Sequence, residues 1–245
     1  MKTFLPILAC ALATVLQFGP LRSIVNADST ANPPLLTQNF DEQVPGDTPS
    51  GWSKLWGEQG DDTFVIDNQY AVSGKQCLLL DRQSGTNVKM WGFGKPLPSI
   101  DDGWYVTQFD LLVDGAGSDI AAGFELRQKG GGNDKAFAVE LNGFDLKLCS
   151  SDWKQTVTLA KIDAKTWYRV TVWAPTANGK QDTAYATIES RSGADWKALG
   201  PSQSVHSAVP KDGYGYLEVN TAPNKRNFRL YIDDLSVQCR TGNHP

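Results

Sequence analysis

After Gln38 apolar residues alternate with polar ones in short runs rich in Val, Thr, Phe, Tyr and Trp, and Gly, Asn, Asp or Pro separate the runs. Period-two runs bounded by turn formers predict β-strands. They fall at 38–41, 63–66, 76–81, 86–91, 104–113, 120–128, 136–141, 144–149, 156–159, 167–173, 183–190, 214–219 and 228–237. No sustained 3.6-residue apolar period occurs, so helix beyond a turn or two is not expected. Asn142-Gly143 between two of the runs predicts a tight hairpin, and Asn178-Gly179 lies in a longer connection. Many strands without crossover helices predict an all-β chain folded as a two-sheet antiparallel sandwich.

Alternation also sorts the faces. Tyr105, Phe109, Leu111 and Val113 fall on one side of their run while Gln108 and Asp110 look away. Phe124 and Leu126 oppose Glu125 and Arg127; Phe137, Val139 and Leu141 oppose Glu140; Val170 and Val172 oppose Arg169. The repeated contrast predicts one sheet whose outer face gathers Gln108, Glu125, Arg127, Glu140 and Arg169. Such a face is either a groove for an extended ligand or an ordinary solvated surface. The chain carries eight Trp. Trp52, Trp104 and Trp167 start strands, where core or edge packing is expected. Trp56, Trp91 and Trp153 have loop-like flanks, and Trp173 shares the side of Arg169; Trp56, Trp91 and Trp173 are the stacking candidates.

The first residues change the picture of where the chain works. One Lys follows the Met, an apolar run extends from Phe4 to Phe18, and Val25 and Ala27 set small residues before a cut, the layout of a signal peptide over 1–27. A short linker, 28–37, precedes the sandwich at 38–239, and 240–245 form a tail. Losing Lys2 and Arg22 with the leader takes the formal net charge from −4 to −6. A mildly acidic exported chain without a basic cluster has no electrostatic footprint for nucleic acid, and after leader cleavage none for a membrane. Secretion, the periplasm or the cell surface is the expected location. Cys77, Cys149 and Cys239 remain in the mature chain, an odd number without metal-ligand spacing, so one disulfide at most can form.

Two stretches carry a family likeness. Asn39-Phe40-Asp41-Glu42-Gln43, with Pro45-Gly46, Pro49 and Gly51-Trp52 after it, and Phe228-Arg229-Leu230-Tyr231-Ile232-Asp233-Asp234-Leu235-Ser236-Val237 resemble the opening and closing strands of concanavalin-A-like jelly rolls of exported bacterial proteins. Carbohydrate-binding modules share these ends. The resemblance implies a jelly roll whose first and last strands lie side by side, with a polysaccharide or oligosaccharide as partner. It also implies a structural calcium ion at that seam, begun by Asp41 or Glu42 with Asp234; the alternative is that Asp233 and Asp234 mark only a bulge.

Catalytic motifs are weaker. Related folds include glycoside hydrolases and polysaccharide lyases, but no Glu-x-Asp-x-Glu run occurs. Glu125-Leu126-Arg127 is faintly similar to the Arg-Glu-Leu-Arg strand of alginate lyases, whereas Gln203-Ser204-Val205-His206 is one residue longer than the Gln-x-His that accompanies it. The sequence thus favours a non-catalytic carbohydrate binder, with two alternatives: an enzyme using Glu125 and Glu140 across neighbouring strands, and a structural or adhesive envelope protein.

Overall fold

The computed structural model describes residues 33–82, 89–100, 102–128, 135–176, 181–207, 214–222 and 227–241. The leader, the first half of the linker, residues 86–88 of one expected strand, Asn178-Gly179 and the end of the tail lie outside them. Sixteen strands are described: β1 Leu36–Gln38, β2 Ser53–Gly57, β3 Thr63–Asp67, β4 Cys77–Asp81, β5 Trp91–Pro96, β6 Trp104–Gly115, β7 Ala121–Gln128 and β8 Lys135–Asn142. Then follow β9 Asp145–Ser150, β10 Thr156–Lys161, β11 Tyr168–Pro175, β12 Thr183–Ser192, β13 Asp195–Ala198, β14 Gln203–His206, β15 Tyr214–Thr221 and β16 Phe228–Arg240. One 3-10 turn at Gly117–Asp119 is the only helical element among the described residues, and no helix there is long and apolar enough to cross a membrane.

The strands form two antiparallel sheets. The first runs β13-β12-β11-β6-β16-β4-β3, with β1 beside β16 and β14 beside β12; the second runs β10-β9-β8-β7-β15-β5-β2. Between them lies a core fed by the inward-facing residues that alternation predicts, among them Phe109, Leu111, Phe124, Leu126, Phe137, Val139, Val170 and Val172. Phe109 of the first sheet stacks on Phe124 of the second at 4.1 Å between ring centres. Apolar burial on this scale is the dominant stabilising term for such a sandwich.

The closing strand explains why the two ends resemble a matched pair. β16 pairs with β4 through Arg229 to Ile232 and with β1 through Leu235 to Val237. Between the two partners the register slips, and Asp234 takes a positive φ of 46°. Asp233 and Asp234 therefore mark a bulge at which β16 changes neighbour.

The hairpin joining β8 and β9 differs by one residue from expectation. Asn142 pairs with Asp145, so Gly143 and Phe144 make the turn, and Gly143 holds φ at +63°. Glycine at the first turn position is the type II′ solution, which needs a positive φ there alone. The strand expected at 86–91 starts instead at Trp91. β2, β13 and β14 were not expected, and β1 ends at Gln38, where the first expected strand begins.

Candidate functional site

The five polar residues expected on one face do point away from the core, but the sandwich divides them. Gln108 and Arg169 lie on β6 and β11 of the first sheet; Glu125, Arg127 and Glu140 lie on β7 and β8 of the second. Alternation tells which side of a strand faces water, not which sheet the strand joins. The chain changes sheet between β6 and β7, around the 3-10 turn.

On the first sheet Arg169 is structural. Its Nε and Nη2 donate to the two oxygens of buried Asp110, each at 2.8 Å, and its guanidinium lies 4.2 Å from the Trp196 ring centre. Gln108 and Trp173 line a depression of about 390 Å³ on the same sheet. Trp91 is fully buried against Phe64 and Phe93, contrary to its expected stacking role. Its indole N–H donates to Asp62 at 2.6 Å, and Asp62 pairs with buried Arg82 at 3.1 Å. A polar partner for the one polar atom of the ring is what lets Trp sink into a core.

The second sheet carries a groove of about 810 Å³, within the usual range of ligand sites. Its floor is built by register. Glu125 of β7 stands directly opposite Glu218 of β15, Gly123 opposite Asn220, and Gly92 and Gly94 of β5 opposite Asn220 and Glu218. The glycines keep the floor low. A Cβ on Gly92 would come within 2.5 Å of Trp56 Nε1, so only glycine there lets Trp56 of β2 reach across β5. Trp56 Nε1 then donates to Glu218 Oε1 at 2.9 Å.

Glu218 is saturated: Arg127 Nη1 lies 3.1 and 2.9 Å from its two oxygens, and Asn220 Nδ2 donates to Oε1 at 3.0 Å. The same Asn220 Nδ2 lies 3.0 Å from Glu125 Oε1. Glu125 Oε2 has ionic neighbours only at a distance, Arg127 Nε at 3.7 Å and Lys135 Nζ at 3.8 Å, and no hydrogen-bond partner within the protein. Burial raises the Glu125 pKa above the usual carboxylate value, with Lys135 opposing, and burial lowers that of Lys135, with Glu125 opposing. Desolvation thus moves both partners toward their neutral forms. Glu140 lines the groove one strand further out, where the Cys149 thiol donates to its Oε2 at 3.6 Å.

Two rims flank this floor. Trp56, with Leu55 and Met90, borders one side. Trp153, in the turn between β9 and β10, borders the other; it is 47 % exposed, and Lys135 Nζ sits 4.1 Å above its ring. Trp153 thus replaces Trp91 as the second aromatic of the groove, exposed where Trp56 is half-buried. Sequence reasoning also missed Lys135, Glu218 and Asn220. β15 did carry a signal, since Tyr216, Glu218 and Asn220 alternate with apolar Leu217 and Val219.

At the seam Asp41 Oδ1 accepts from the backbone N–H groups of Lys75 and Gln76, and Asp234 Oδ1 accepts from Ser73 Oγ. Asp233 Oδ2 takes the N–H groups of Val72 and Ser73. These three carboxylates clamp the loop before β4. Among the described residues no three His, Cys, Asp or Glu side chains gather as a metal site, so calcium at this seam would need backbone carbonyl oxygens beside these carboxylates. Cys77, Cys149 and Cys239 are all free thiols.

No protein-family model matches the chain, and no curated protein matches it. Solved structures do. Lectin UEA-II, solved in complex with galactose, aligns with a TM-score of 0.55 at 12% identity over 84% of this chain and 99% of the lectin. Lectin II from Ulex europaeus aligns at 0.54, again with 12% identity over 84% and 99%. An alginate lyase from Aplysia kurodai scores 0.49 at 9% identity over 77% of this chain and all of its own, too remote to bear on the chemistry. At such identities the likeness establishes the fold, an antiparallel jelly-roll sandwich, and leaves function to the site.

Proposed function

We propose that this is an exported, non-catalytic protein that binds carbohydrate in the groove of the second sheet. One observation carries the reading: a polar floor of Glu125, Arg127, Glu218 and Asn220 lies between the Trp56 and Trp153 rims. Tryptophan offers a broad apolar face with little entropy to lose, and the floor offers directional hydrogen bonds. Export rests on the leader pattern of residues 1–27. Pull-down on insoluble polysaccharides and a glycan array test the proposal. Retention that falls on Trp153→Ala supports it, and binding to no glycan overturns it.

A hydrolase or lyase is the second reading, now with a different pair from Glu125 and Glu140. Glu125 Oε1 and Glu218 Oε1 each lie 3.0 Å from Asn220 Nδ2, so they are at most about 6 Å apart. Retaining glycosidases hold their carboxyls about 5 to 5.5 Å apart. What supports the binding reading over it is that Glu218 is 0% exposed, with Arg127, Trp56 and Asn220 already on its oxygens. New reducing ends, or ultraviolet absorbance from unsaturated products, that vanish in Glu125→Gln would reverse this ranking. Calcium at the Asp41 and Asp234 seam stays a separate proposal with two carboxylates to its credit; a rise in melting temperature with calcium over a chelator supports it.

A further inference from the structure

The groove holds a buried polar atom that the fold does not use. Glu125 Oε2 has no hydrogen-bond partner within the protein, and its residue is only 5% exposed. Glu125 stands on the groove side of β7, opposite Glu218, and lines the groove. Buried polar atoms are normally paired, and those that are not call for a physical reason.

The charges beside it are, by contrast, already committed. Arg127 and Lys135 face three carboxylates, Glu125, Glu140 and Glu218, in the groove lining. Arg127 holds both oxygens of Glu218, and Lys135 lies between Glu125 and the Trp153 ring. An anionic ligand would bring a further negative charge to a groove where two cations already face three carboxylates, and would compete with Glu218 for Arg127, the costly way to weaken an ion pair. Its carboxylate, an acceptor only, would also meet the Glu125 carboxyl. A sugar hydroxyl both donates and accepts, so it suits Glu125 in either protonation state.

The rims give the direction. Four large apolar residues among those described are strongly exposed, and two of them, Met90 and Trp153, border this groove. Trp153 is also held at φ +63°, a region costly for a residue with a Cβ. Its N–H donates to the Ser150 carbonyl at 3.1 Å, and Asp152 Oδ1 accepts from Ser150 Oγ and the Lys154 N–H. Lys135, beneath Trp153, is on β8, and Trp56 is on β2, four strands along in the order β8-β7-β15-β5-β2. The Trp56 indole reaches in over β5 to Glu218 on β15, so the open floor covers β15, β7 and β8, about 10 Å at 4.8 Å per strand and more than one sugar ring spans.

We infer that the groove takes a neutral polysaccharide chain lying across the strands from Trp56 to Trp153, hydrogen-bonded at Glu125, and that it rejects polyuronates. This rests on the carbohydrate-binding reading and narrows it. The test is affinity gel electrophoresis of the full-length protein in gels containing a neutral β-glucan, a galactomannan, a neutral xylan, alginate or polygalacturonate at one ionic strength. Trp153→Ala and Glu125→Ala run beside it, with circular dichroism melts as the folding control. Retardation is expected from at least one neutral polymer and from neither polyuronate. Trp153→Ala weakens it tenfold or more with its melt unchanged, and Glu125→Ala weakens it several-fold; because Trp153 is exposed, that variant stays informative should Glu125→Ala not fold. Binding to polyuronates, alone or equally with neutral polymers, overturns the inference and leaves carbohydrate binding standing. Neutral binding indifferent to Trp153→Ala overturns it too, by moving the site elsewhere. Binding to no polymer overturns both.

Discussion

Stability should fall as pH rises from about 4 to 7, and Asp233 should be a principal cause. Its carboxylate is fully buried at the β16 bulge, accepting the N–H groups of Val72 at 2.9 Å, Ser73 at 3.2 Å and Asp234 at 2.8 Å. Those bonds favour the charged form, yet burial outweighs them, with neighbouring Asp234 adding repulsion, and the pKa is pushed up to about 7. Unfolded, Asp233 titrates near 3.9. The folded state therefore keeps a proton that the unfolded state releases. The contribution is fully present below about pH 4 and is lost as pH rises through 7, by about 1.4 kcal/mol per pH unit and about 4 kcal/mol in all. Urea unfolding followed by tryptophan fluorescence at pH 5, 6, 7 and 8 measures it, with Asp233→Asn as the reference. Asn can still offer one oxygen to Val72 and Ser73 while its amide faces the Asp234 N–H, so Asp233→Asn is less stable overall. Only the slope is diagnostic: the wild type should lose about 2.3 kcal/mol more than Asp233→Asn between pH 5 and 7. Equal slopes, or a carbon chemical shift of the Asp233 carboxyl titrating near pH 4, would refute the reasoning.

Three further outcomes follow from the same geometry. Trp91→Phe removes the indole that fills the space beside Phe64 and Phe93 and its bond to Asp62; a loss of about 2 to 4 kcal/mol is expected in denaturant unfolding, and under 1 kcal/mol would contradict it. Gly92→Ala places a Cβ 2.5 Å from Trp56 Nε1 and 2.8 Å from Glu218 Oε1, so it should cost about 1 to 3 kcal/mol and shift tryptophan emission as Trp56 leaves Glu218; an unchanged spectrum and melt would show that the indole does not lie across β5. In the native protein a thiol reagent should label Cys239 first, because Cys77 and Cys149 are fully buried and burial pushes the Cys149 thiol up to about 11. Mass mapping of the labelled peptides decides, and early labelling of Cys149 would count against the closed outer edge of β8 and β9.

The strands were legible because each long one carries its own contrast. β6, β7, β8 and β11 show it in pairs such as Phe109 against Gln108 and Leu126 against Arg127, and their inward residues do build the core. Short strands carry too few residues for a period: β13 spans Asp195–Ala198 and no pattern announces it. The turn at Gly143 was legible as a turn and not in its register, since Asn142 suits a turn position as readily as the strand end it occupies. Trp91 was misread for a related reason. Its neighbours Met90 and Gly92 look like loop, but the residue that decides its burial is Asp62, 29 positions away.

The site shows the same limit at a larger scale. Period two assigns a residue to a side of its strand, and a sandwich has two outer sides. Gln108 and Glu125 share the outward sense and stand on opposite faces of the molecule. What joins Glu125 to Glu218 is the pairing of β7 with β15, strands nearly a hundred residues apart, set by sheet order rather than by any local motif. Once that order is known, the alternation in Tyr216, Glu218 and Asn220 and the glycines at 92, 94 and 123 read as one design: polar residues on β7 and β15, and bare backbone at the glycine positions beside them, where the Trp56 and Asn220 side chains lie across. A search for outward polar rows on strands adjacent to glycine-alternating ones would therefore have reached this groove, whereas a search for paired acids on one strand could not, because the pair is made by the sheet.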